Sequence, residues 1–107
     1  MKAINDLYNV ILDRRKNKLE GSYTCYLFEQ GIDKILKKVG EECAETIIAA
    51  KNGGKKEITE EICDLIYHLM VMLAELDIPI EDIENLLEQR AQKIGNLKQI
   101  KNVDRNT

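Results

Sequence analysis

The chain of 107 residues holds a single proline and six glycines, too few turn formers to separate the many short strands of a sheet protein. Its longest stretch without Asp, Glu, Lys or Arg is the ten residues 65–74, about half of the ~20 that span a bilayer. A transmembrane helix is therefore excluded. Lys2, Asp6, Asp13, Arg14 and Arg15 break up any apolar core that a signal peptide would need, so the expected location is cytoplasmic. Cysteines are sparse as well: Cys25, Cys43 and Cys63 never form a C-x-x-C pair, which suggests neither a disulfide framework nor a zinc site. They are expected to serve as small buried hydrophobes. Basic excess is also missing, because the net charge is -3 and a nucleic-acid module ordinarily carries a strong positive surplus. A mildly acidic chain can still take a polyphosphate if it holds a metal ion between its own carboxylates and the ligand's oxygens.

What the chain does contain is helical periodicity. With 44% hydrophobic and 33% charged residues it reads as one globular domain over residues 1–95, followed by a polar tail over residues 96–107. A first helix is expected over residues 3–18, with Ile4, Leu7, Tyr8, Ile11 and Leu12 on one face, ending near Gly21. Residues 22–31, which include Tyr23, Tyr26 and Phe28, read as a loop with at most one helical turn. A second helix follows over residues 32–51, closed by Asn52, Gly53 and Gly54. The third covers residues 57–76. After a break at residues 77–79, a fourth starts at Pro79 or Ile80 and presents Ile83, Leu86, Leu87 and Ile94 inward. The expected fold class is thus all-α, a four-helix-type bundle. Eleven of the thirteen residues 62–74 are hydrophobic, so the third helix must be enclosed on nearly every side. Completion of the bundle by a homodimer is expected.

Carboxylates interrupt these apolar faces. At about 100° per residue, Glu42 falls about 20° from Ile35, inside the arc that also carries Val39, Thr46 and Ala49; Glu45 sits at its edge and Glu41 further round. A carboxylate aimed into a core costs several kcal/mol unless it is paired or binds a cation. On the third helix the ionisable positions Glu61, Asp64 and His68 share one edge. An antiparallel turn at Gly53 and Gly54 brings Glu42 and Glu45 opposite Glu61 and Asp64. Four such groups repel unless something positive sits between them, and all-oxygen ligands favour magnesium or manganese over zinc or copper. Lys34, Lys37 and Lys38 precede the acids, and Lys51, Lys55 and Lys56 border the turn. An isolated Glu-x-x-Glu is ordinarily a solvated face, and residue spacing leaves that reading open beside the metal site. His68 is expected as a core histidine bonded to Asp64 or to a backbone carbonyl, and Tyr23, Tyr26 and Phe28 as core or dimer contacts. Arg14, Arg15 and Lys16 read as a solvated helix end.

The run S-Y-T at residues 22–24, L-F at 27–28, G-I-D-K-I-L-K-K-V-G-E-E at 31–42, I-I-A-A-K-N-G at 47–53 and E-x-x-D-L-I-Y-H-L at 61–69 resembles the phosphoribosyl-ATP pyrophosphohydrolases of histidine biosynthesis. The likeness spans about residues 4–90, and its carboxylate pattern is shared with the wider all-α nucleotide pyrophosphohydrolase superfamily, MazG-like enzymes included. It implies hydrolysis of phosphoribosyl-ATP to phosphoribosyl-AMP and pyrophosphate, the second step of the pathway, with Mg2+ as cofactor and Mn2+ as a possible substitute. It implies Glu42, Glu45, Glu61 and Asp64 as metal ligands, Glu41 as the residue that orients or deprotonates the attacking water or holds a second ion, and Lys34, Lys37 and Lys38 as phosphate contacts. Many relatives are fused to the cyclohydrolase of the next step; here that enzyme is expected on a separate chain. After Arg90 the sequence departs from the family's endings. A house-cleaning dNTP pyrophosphohydrolase of the same superfamily and a non-catalytic helical dimerisation module are the alternatives.

Overall fold

A computed structural model describes residues 1–96. The polar tail expected from residue 96 lies, from residue 97 onward, outside them. Among the described residues the chain forms five helices and no strand: α1 Lys2–Lys16, α2 Tyr23–Gln30, α3 Ile32–Asn52, α4 Lys55–Glu75 and α5 Ile80–Asn96. The all-α class holds. The helix count is corrected, because the segment expected to be a loop is α2. Ser22 caps it, its hydroxyl accepting from the Cys25 N–H at 3.1 Å, and Gly31 ends it with φ of 89°. That left-handed φ suits glycine and lets α3 start directly after α2.

Positive φ at Gly53 (82°) closes α3, whose last turn is capped by the Gly53 N–H bonding to the Ala49 carbonyl. Gly54 follows and α4 returns alongside, so α3 and α4 make the most extensive helix pair among the described residues. The core is formed by Tyr8 and Ile11 of α1, Leu27 of α2, Ile35 of α3, and Met70, Val71, Leu73 and Ala74 of α4, with Ile80 below. It therefore occupies the end of the hairpin where α3 begins and α4 finishes. The turn from α4 to α5 is fastened by α1. Tyr8 Oη donates to the Ile78 carbonyl at 2.7 Å, and Arg15 bonds the Ala74 carbonyl and the Asp77 carboxylate. Arg15, exposed in the last turn of α1 as expected, is thus also a structural tie.

Three further expectations are corrected. Ile83, Leu86, Leu87 and Ile94 of α5 are exposed, not packed inward on the core of the described residues. The apolar run of α4 is enclosed only toward its C-terminal half, and Ile62 is exposed. Cys25 is buried as expected, but Cys43 and Cys63 lie on the outside of the hairpin. No helix among the described residues is long and apolar enough to cross a membrane.

Candidate metal centre and active site

The α3–α4 hairpin sets the acidic groups face to face at about its middle. Glu42 and Glu45, one turn apart on α3, meet Glu61 of α4 so that one carboxylate oxygen from each lies within 4.8 Å of the others. Glu42 is only 6% exposed. Its Oε2 and the Oε1 of Glu61 are buried without a hydrogen-bond partner, and for the buried Glu42 that costs about 1–3 kcal/mol, more when it is charged. Burial, then the charges of Glu45 and Asp64, push the Glu42 carboxyl above its ordinary value, against the opposing influence of His68 and Lys38. Burial and the neighbouring Glu45, Glu42 and Asp64 do the same to Glu61. Orphaned oxygens and mutual repulsion are both relieved by one cation among the three. The donor set is all oxygen, which fits a hard divalent ion.

The other expected site residues fall around this group. Asp64, one turn beyond Glu61, is exposed; its carboxylate stands outside the three-carboxylate set but near enough to raise both Glu42 and Glu61. Glu41 turns to Lys38, Oε1 to Nζ at 3.1 Å, and that ammonium holds the Glu41 carboxyl below its usual range. Lys34 Nζ lies 5.7 Å from the centre of the Tyr26 ring, at cation–π distance. Lys37 is exposed and adds positive charge beside Glu41. A shallow groove of about 240 Å³, lined by Glu45, Ile48, Asn52, Glu57 and Glu61 among others, continues the cluster toward the hairpin turn.

His68 is the buried histidine expected: Nδ1 bonds the Asp64 carbonyl at 2.7 Å. A carbonyl only accepts, so Nδ1 carries the proton in the neutral ring and Nε2 accepts from the Tyr23 hydroxyl, 3.1 Å away. Tyr23 thereby ties α2 to α4 next to the acids, and Thr24 adds a second bond to Tyr67 Oη. Residue spacing did not reveal these ties, because α2 had no helical signal long enough to place its side chains. Thr46 was also missed as a polar contact. Its hydroxyl reaches the Glu42 carbonyl at 2.8 Å and the Glu61 carbonyl at 3.3 Å, although its position in the apolar arc beside Glu42 was visible.

Residues 4–91 match the family model described as phosphoribosyl-ATP pyrophosphohydrolase, which is most of the chain. The chain belongs to this family. Among curated proteins, it is 58% identical over 96 residues to the phosphoribosyl-ATP pyrophosphatase of Clostridium novyi, covering 90% of this chain and 87% of that one. The phosphoribosyl-ATP pyrophosphatase of Clostridium acetobutylicum is 58% identical over 98 residues, 92% of this chain and 89% of its own. The histidine biosynthesis bifunctional protein HisIE of Caldanaerobacter subterraneus subsp. tengcongensis is 58% identical over 93 residues, 87% of this chain but 45% of its own length. The phosphoribosyl-ATP pyrophosphohydrolase family is thus represented both by chains of about this span, named as phosphoribosyl-ATP pyrophosphatases, and by a longer bifunctional one. All five helices fall wholly or largely within the matched residues.

Proposed function

We propose that this chain hydrolyses phosphoribosyl-ATP to phosphoribosyl-AMP and pyrophosphate, using Mg2+ or, in its place, Mn2+. The observation that carries the reading is the meeting of Glu42, Glu45 and Glu61 with two buried, unpartnered carboxylate oxygens in a chain of this family. Glu42, Glu45 and Glu61 would hold the ion, with the Asp64 carboxylate close enough to act on Glu42 and Glu61. When bound, such an ion would neutralise charge at the phosphate oxygens and acidify a water.

The chain's own groups do the rest. Lys38, Lys34 and Lys37, on the α3 turns before the carboxylates, take the negative oxygens of the triphosphate and orient the bond between the α and β phosphorus atoms for in-line attack. Glu41, kept ionised by Lys38, accepts a hydrogen bond from the attacking water and holds its lone pair toward phosphorus. Water adds one oxygen to one phosphorus, and the bridging oxygen leaves with the other product.

The proposed active form is a homodimer. The exposed apolar face of α5, where Leu87 is 58% and Ile94 69% exposed, and Ile47 on α3 at 65% supply unpartnered surface of the kind that a second copy covers. The open groove beside Glu45 is also too small to enclose a nucleotide carrying a second ribose phosphate, and a partner subunit would wall it. A substrate panel tests the reaction. Pyrophosphate from phosphoribosyl-ATP, with dNTPs turned over at least ~100-fold less efficiently, supports the reading; the reverse preference moves the chain to the dNTP-hydrolysing relatives.

A further inference from the structure

Three negative groups concentrated at one level of a two-helix hairpin drive the helices apart there. Among the described residues, the side-chain hydrogen bond that crosses from α3 to α4 is the one from Thr46 to the Glu61 carbonyl, and no ion pair joins the two helices. It lies at the level of the carboxylates. The same hydroxyl bonds the carbonyl of Glu42, so one side-chain oxygen touches the backbone of two of the three clustered acids, one on each helix. A threonine hydroxyl has a single proton, shared here between the two carbonyls as a three-centre bond. Neither carbonyl depends on it for its place in its own helix. What the shared proton sets is the separation and register of the two backbones from which Glu42 and Glu61 project.

From this juxtaposition we infer that Thr46 is a positioning residue for the cation site, holding α3 and α4 at the spacing that lets Glu42, Glu45 and Glu61 reach one ion. The inference rests on the reading of these acids as a divalent-cation site. Thr46 itself touches neither ion nor substrate. Its β-branched shape fills half-buried space in the interface, and valine reproduces that shape without the proton, whereas serine keeps the proton and loses only a methyl group.

The experiment measures Mn2+ binding to the full chain by electron paramagnetic resonance, without substrate, for wild type, Thr46→Val, Thr46→Ser and Thr46→Ala, with thermal melting of each metal-free protein. Loss of one such hydrogen bond should weaken Mn2+ binding on the order of 3- to 10-fold in the Val and Ala variants, with serine within about twofold of wild type. A melting point that falls while Mn2+ affinity stays unchanged in Val and Ala assigns Thr46 a purely structural role and overturns the inference. If Val fails to fold, the contrast between Ser and Ala decides. Wild type that binds no Mn2+ overturns the cation-site reading and this inference with it; wild type that binds, alongside Val and Ala variants that bind equally well, overturns the inference alone.

Discussion

Glu42 concentrates the cost of the site in one side chain. It is buried, its Oε2 lacks a partner, and both it and Glu61 have carboxyls raised above their ordinary values. A group whose value is raised on folding binds more protons in the folded state, so its favourable contribution is complete below the ordinary carboxylate range and is lost as pH rises through the raised value. The chelator-treated protein should therefore lose stability on going from about pH 4.5 toward neutrality, and Mg2+ should restore it at neutral pH. Melting curves in EDTA and in excess Mg2+ across that range check this, and EDTA curves that climb steadily to neutrality would contradict it. Glu61→Gln should raise the metal-free melting point at pH 7 while weakening Mn2+ binding. Spacing alone marked Glu42 as an acid in an apolar arc because angle around a helix is readable from sequence. Depth is not, which is why Asp64 is exposed although it stands within the run 62–74, eleven of whose thirteen residues are hydrophobic.

Among the elements, α2 shows where sequence patterning runs out. Eight residues, several of them aromatic, make a weak helix by propensity, and its existence depends on the Ser22 cap, the Gly31 stop and the packing of Leu27 into the core. Ser22→Ala should cost about 1 kcal/mol, read as a shift in the urea midpoint without change in slope. Because α2 carries Tyr23 to His68, the same variant should also lower activity several-fold. The bounds of α3 were legible because glycines with positive φ stand at both ends, Gly31 and Gly53; the break before α5 was legible from Asp77 and Pro79. Periodicity also showed correctly which residues of α5 share a face, but it carries no information on what that face meets.

At the scale of the molecule, that exposed face is, among the described residues, the main departure from a closed bundle. The core gathers at one end of the α3–α4 hairpin, while α5 and the far part of α3 present Leu86, Leu87, Ile94, Ile47 and Ile48 to the outside. Light scattering should give twice the chain mass, and Leu87→Lys should halve it with helix content kept; a wild-type monomer at micromolar concentration would contradict the proposed dimer. Cation, substrate and carboxylates meet in one assay, pyrophosphate release from phosphoribosyl-ATP as Mg2+ is titrated, run side by side on wild type and Glu42→Gln. The account predicts saturable, Mg2+-dependent turnover in the wild type and a loss of at least ~100-fold in the folded variant. Turnover that persists in EDTA, or a Glu42→Gln protein as active as wild type, would contradict it.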